Sequence, residues 1–183
     1  FEHNTMITRI KLPAAQPNPY VSVVVVEYDQ RPAVESGLVA KTVDGGYSLT
    51  FDNLNPADES LDVRGPYKFR TVPRYAAVAG TKKFSWNIFV DGPQELTCDL
   101  SYSYQGESSK SKMILRAANS SLLHNVAPTG KTVGEPKEDW VIDNFKCSRL
   151  GKVFFPAQGL YTIELEVKAA QDEQVQFQWL WMK

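Results

Sequence analysis

Two cysteines, Cys98 and Cys147, and two histidines, His3 and His124, are all that this chain of 183 residues has of either type. Two thiols are too few for a disulfide scaffold, and no CxxC spacing marks a metal site. They form one disulfide or stay as two buried free thiols, and the sequence leaves both open. His124 lies in the alternating stretch Leu122-Leu-His-Asn-Val126 and His3 close to the start. No serine sits on a nucleophile elbow, so a Ser–His–Asp or Cys–His site has no support. An excess of charge is missing too. The 20 Lys and Arg stand against 21 Asp and Glu, which leaves no field to attract nucleic acid or an anionic membrane. No apolar run approaches the ~20 residues of a membrane-spanning helix; the longest, residues 21–26, is interrupted by Ser22. Sustained helical periodicity is absent. Gly45-Gly46 is a turn pair without the following helix that a phosphate loop requires.

What is present is a succession of short alternating strands. Phe84-Ser-Trp-Asn-Ile-Phe-Val90, Asp91-Gly92-Pro93 and Leu96-Thr-Cys-Asp-Leu-Ser-Tyr102 read as strand, tight turn and strand. The pattern returns where Val153-Phe-Phe-Pro-Ala-Gln-Gly-Leu-Tyr161 runs into Thr162-Ile-Glu-Leu-Glu-Val167. We read both as hairpins. Strands are predicted at 84–90, 95–104, 112–118, 121–126, 139–145, 150–155, 160–168 and 174–182, with a polar hairpin loop at 105–111 and a tight turn at Asn119-Ser120. Many short strands with regular turns predict an all-β fold, an antiparallel two-sheet sandwich of the jelly-roll kind. In the last strand, Val175, Phe177, Trp179 and Trp181 share one face, which is assigned to the core, with a sugar-stacking platform as the alternative. Trp86 is assigned there as well.

The length suits one large domain, or one domain with a piece of another. Strands are predicted at 6–12 and 21–28, joined by Pro13-Ala-Ala-Gln-Pro-Asn-Pro19, whose prolines exclude a regular ladder. Residues 1–31 are read as strands left from a preceding sandwich, 32–37 as a linker and 38–183 as the main domain. The start at Phe1 is read as that of a mature product or a cut piece.

Six segments occur in an order that resembles a known family: Asp44-Gly-Gly-Tyr-Ser-Leu-Thr50, Phe84-Ser-Trp-Asn-Ile-Phe-Val90, Leu100-Ser-Tyr-Ser-Tyr104, Leu150-Gly-Lys-Val153, Gly159-Leu-Tyr-Thr-Ile163 and Phe177-Gln-Trp-Leu-Trp181. The run, over about 38–183, is similar to the galactose-binding-like β-sandwich at the C-terminal end of bacterial glycoside hydrolases. It looks most like the domain after the catalytic barrel of Bacteroides-type α-L-fucosidases. Ile10-Lys-Leu-Pro13 through Val21-Ser-Val-Val-Val-Val-Glu27 resembles the closing strands of the sandwich before it. The resemblance implies an extracytoplasmic accessory domain with no catalytic residue of its own. It also implies a catalytic domain in the same polypeptide.

Carbohydrate is the implied ligand. Sugars are held by aromatic faces and a few convergent polar groups, so the loop residues Trp140, Tyr75, Tyr67, Arg74, Arg64 and Asn144 are the candidate binding set, with Phe69, Arg70 and Asn119 nearby. Trp140 can serve as a rim aromatic or as a core wedge. Asp58, Glu59 and Asp62 form the densest acidic cluster, either a solvated loop or a calcium site. The rival reading is a structural domain that buttresses the catalytic barrel and touches no sugar, its loop aromatics packing on that partner. The exposed N-terminal strands also favour a homodimer.

Overall fold

Alternation of large apolar with polar side chains puts strands in two layers, and pairing with strands distant in sequence decides which layer each strand joins. The structure is a computed structural model. It describes residues 2–3, 8–11, 14–15, 23–27, 29, 38–55, 61–65, 74–130 and 144–183. The chain divides into two units, Phe1–Glu35 and Ser36–Lys183. In the first, β1 (Glu2–His3) pairs antiparallel with β2 (Thr8–Arg9). The strand predicted at 21–28 is not found where it is described. Residues 23–27 form no strand and Val23 and Val25 are each 76% exposed. An apolar run with two hydrophobic faces needs cover on both, which a two-residue ladder does not supply.

The second unit holds β3 (Leu38–Val39), β4 (Tyr47–Leu49), β5 (Val63–Arg64), β6 (Tyr75–Ala79), β7 (Thr81–Val90), β8 (Gln94–Ser103), β9 (Lys112–Ala117), β10 (Ser120–Asn125), β11 (Lys146–Phe155), β12 (Gly159–Lys168) and β13 (Gln174–Met182). One 3-10 turn, Phe51–Asn53, is the helical element among the described residues. A five-stranded sheet has the order β10-β9-β12-β7-β3. A six-stranded sheet has the order β11-β8-β13-β6-β5, with β4 also on β13. The pairs are antiparallel except the short parallel contact of β3 with β7. The strand predicted at 139–145 is absent from its described part, residues 144–145.

This is the predicted two-sheet β-sandwich, but the two expected hairpins are corrected. Asp91-Gly92-Pro93 joins β7 of one sheet to β8 of the other, and the connection after Phe155 joins β11 to β12 across the same gap. Loop 105–111 also changes sheets. A turn at an apolar strand end closes a hairpin or a sheet-to-sheet corner with the same residues. Only the partner strand, far away in sequence, decides between them. A true hairpin forms at β9–β10, where Ala118 takes a φ of 49°.

The core lies between the sheets. Phe84, Trp86 and Ile88 of β7, Ile163 of β12 and Leu115 of β9 face Leu100 and Phe177 of the other sheet. Phe177 stands 5.1 Å from Phe84 and 6.3 Å from Trp86, ring centre to ring centre. The Trp86 indole N–H donates to the carbonyl of Thr50 at 2.8 Å, as a buried tryptophan requires.

Candidate functional site

β13 carries the site because its alternation breaks once. Val175 and Phe177 point into the core. The ladder with β8 then slips. Phe177 opposes Tyr102 and Trp179 opposes Ser101, so Gln178 is an extra residue on the β13 side. Such a bulge re-aims every side chain beyond it. Leu180 and Met182 now point inward, opposite Leu100 and Cys98, and both are fully buried. Trp179 and Trp181 turn to the outward face of the sheet and are part-exposed. The assignment of these two tryptophans to the core is therefore corrected. The tetrad Trp179-Leu-Trp-Met182 is apolar on both faces, so either pair can fill the core, and the bulge makes the choice. Its side-chain partner is Ser101, whose hydroxyl donates to Gln178 Oε1 at 2.8 Å.

The indole of Trp181 is seated on a glycine. A Cβ on Gly46 would stand 2.7 Å from Trp181 Cζ2 and 2.9 Å from the carbonyl oxygen of Met182. The turn that presents Gly46 is tied by Thr42 N–H to Gly46 O at 2.7 Å and Gly46 N–H to Thr42 Oγ1 at 3.1 Å. Across the sheet from Trp181 come Asp99 and then Arg149. Arg149 donates to Asp99 twice, Nε to Oδ1 at 2.8 Å and a terminal nitrogen to Oδ2 at 3.1 Å. Lys152 pairs with Glu95 at 2.6 Å and Lys183 with Asp44 at 2.8 Å.

Tyr75 on β6 and Phe145 just before β11 have ring centres 5.3 Å apart, although β13 and β8 lie between their strands. Ser101 and Gln178, on the two strands between, are both buried. Farther along β13, Gln174, Gln176, Ser103, Gln105 and Glu173 line a hollow of about 320 Å³. Its wall, loop 105–111, is held by the Glu173 carboxylate. That carboxylate accepts from Ser109 Oγ at 2.5 Å, Ser111 Oγ at 2.6 Å and Lys110 N–H at 3.0 Å. The two hydroxyls, then the amide, hold Glu173 down to about 2.

Of the residues expected to bind sugar, Tyr75 borders this face, with Arg64 beside it on β5. The Tyr75 ring packs on Phe145 and Tyr75 is 4% exposed. Arg64 forms an ion pair with Asp62 at 2.6 Å. Asn144, next to Phe145, donates to the carbonyl of Thr129 at 2.8 Å. Arg74 instead pairs with Asp52 at 3.1 Å. Asn119 sits in the β9–β10 turn. Tyr67, Trp140, Phe69, Arg70, Asp58 and Glu59 lie outside the described residues. Among the described residues no three His, Cys, Asp or Glu side chains gather as a metal site. His124 is on the edge strand β10, half-buried, 3.3 Å from the Tyr102 hydroxyl, and burial lowers its pKa. The thiols are free: Cys98 faces the core and Cys147 is exposed on the outward face beside Ser101.

No protein-family model and no curated protein matches the chain in sequence. Solved structures match in fold. The mosquito-larvicidal Cry4Aa toxin of Bacillus thuringiensis aligns over 80% of this chain and 24% of its own, at 11% identity and a TM-score of 0.59. The chain therefore spans about a quarter of the toxin's length. The C-terminal CBM6 of LamC, a laminarinase of Zobellia galactanivorans, aligns over 76% of this chain and 99% of its own, at 10% identity and a TM-score of 0.54. This chain shares their β-sandwich fold. An α-L-fucosidase from Vibrio sp. strain EJY3 aligns over 80% of this chain and 24% of its own, at 17% identity and a TM-score of 0.47. That likeness is too slight to identify a fucosidase domain. No helix among the described residues is long and apolar enough to cross a membrane.

Proposed function

We propose that this chain is a non-catalytic carbohydrate-binding β-sandwich, with its site on the outward face of the six-stranded sheet. The observation that carries the reading is the outward turn of Trp179 and Trp181, the second with its indole backed by Gly46. A soluble sandwich gains nothing from two tryptophans kept part-exposed on a sheet face unless something stacks on them. Aromatic faces beside hydroxyl-pairing polar groups suit the C–H side of a sugar ring. The fold shared with the CBM6 module of LamC supports the same reading.

In the finer form of the proposal, the domain serves an extracytoplasmic glycoside hydrolase of the α-L-fucosidase type. The catalytic domain lies in the same polypeptide, and the chain alone does not cleave glycosides. Trp140, Tyr67, Arg74 and Asn144 from the loops, and Tyr75 and Arg64 from β6 and β5, then add contacts around the face. Calcium, if used, binds at the cluster of Asp58, Glu59 and Asp62, and self-association proceeds through the N-terminal strands. The buttress reading assigns the same tryptophans to a partner-domain interface.

A glycan array on the folded chain, with and without calcium, tests the proposal. A specific hit that is lost in Trp179→Ala or Trp181→Ala supports it. A blank array from folded protein overturns it in favour of the buttress. A hit lost in Trp140→Ala but kept in both strand variants moves the site to the loops. Release of nitrophenol from nitrophenyl fucoside by this chain would contradict the non-catalytic assignment.

A further inference from the structure

The electrostatics of the tryptophan face name the class of glycan, an inference that rests on the carbohydrate-binding proposal. We infer that the face takes a neutral glycan, and that the Arg149–Asp99 pair reads its hydroxyls. Arg64, beside Tyr75, is paired with Asp62 at 2.6 Å; nearer Trp181 stand Arg149, Lys152 and Lys183. Each has its own carboxylate, Asp99 at 2.8 Å, Glu95 at 2.6 Å and Asp44 at 2.8 Å. A uronate or sulfate ester needs a cation without a competing partner, or one must be stripped of its partner to bind it. A neutral sugar needs neither.

The Arg149–Asp99 pair supplies what a sugar hydroxyl does need. A hydroxyl donates once and accepts as well. Asp99 uses two N–H groups of Arg149. A guanidinium has five, so three remain, and the carboxylate keeps free lone pairs. Arg149 is 69% exposed in its side chain, and Asp99 is 20% exposed and opposite Trp181 in the ladder. Donors and acceptors thus stand side by side next to the indole, fixed by the fork and nearly without net charge. That arrangement matches a pair of adjacent hydroxyls on a ring stacked over Trp181. Positional precision comes from the planar fork, which lysine does not reproduce.

The experiment is affinity electrophoresis and calorimetry of the whole 183-residue chain. Neutral probes are hydroxyethyl cellulose, galactomannan and xyloglucan; acidic probes are polygalacturonate and carrageenan. Binding to a neutral probe that persists from about 50 to about 500 mM salt is the expected result, since no ion pair with the ligand is there to be screened. Arg149→Met keeps the aliphatic stem and removes the fork. It is expected to weaken neutral binding by roughly ten-fold or more, the loss that goes with charged-group hydrogen bonds. Arg149→Lys is expected not to restore it. An unchanged melting temperature keeps the comparison clean. Binding confined to acidic probes and lost with salt overturns this inference and leaves the carbohydrate proposal standing. Neutral binding unaffected by Arg149→Met overturns the role of the pair. No binding to any probe overturns both.

Discussion

Trp181 and Gly46 form one unit: the indole occupies the space in which any other residue at position 46 would place its Cβ, 2.7 Å from Cζ2. The second obstacle to a side chain there is backbone, the Met182 carbonyl at 2.9 Å, which cannot swing aside as a flexible side chain can. Gly46→Ala is therefore expected to cost roughly 1–3 kcal/mol, the usual range for overpacking a filled site. It should also displace the indole. Chemical denaturation measures the first effect, and acrylamide quenching of tryptophan fluorescence measures the second.

Trp86 and Trp181 should respond unequally to truncation. Trp86 is fully buried against Phe84 and Phe177. Trp86→Ala should lower stability by about 3–5 kcal/mol. Trp181→Ala and Trp179→Ala remove part-exposed rings from the outward face and should lower it far less. Urea midpoints for the three variants check the direction of the bulge. Equal losses would return Trp179 and Trp181 to the core.

The two cysteines should differ in reactivity. Burial, then the Asp99 carboxylate, pushes the Cys98 thiol up to about 12, while Cys147 is raised by the same causes but exposed. Thiolate is the reacting form, so both react slowly at neutral pH and access separates them. One thiol should titrate with Ellman's reagent in native protein, near pH 8, and two in urea. A glycan seated on the outward face should slow the native reaction, because Cys147 shares that face with Trp179.

Glu173 gives the stability a defined acid limb. Its folded pKa is depressed, so its contribution is present above the unfolded value and lost as pH falls through the folded one. The window runs from the ordinary value of 4.5 down to about 2. Melting temperature should drop over that window in the wild type and drop less in Glu173→Gln, which lacks the titrating group. Loop 105–111 should gain amide exchange in the same variant.

The fold was legible because apolar and polar residues alternate over 84–88 of β7, 96–102 of β8 and 161–167 of β12, so Phe84, Trp86 and Ile88 could be placed in the core from spacing alone. The sheet each strand joins was not legible, since Asp91-Gly92-Pro93 serves a corner as well as a hairpin. The site was hidden by one residue. Period-two counting from Val175 carries Trp179 and Trp181 inward. The slip at Gln178 depends on pairing with β8, some seventy residues away in sequence. Tyr75, which reads as a loop aromatic in the sequence, stands on β6 with its ring packed on Phe145. At the N-terminus the valines of 23–26 looked like a strand because composition reports apolarity and not cover.

Calorimetric titration of the glycan that the array selects, into wild type and into the Trp179→Ala/Trp181→Ala double variant, tests the central claim most directly. The account predicts a single-site isotherm for the wild type and none for the double variant, whose melting temperature stays within a few degrees. A double variant that folds and binds as the wild type does would contradict it, and the outward face of the six-stranded sheet would then not be the site.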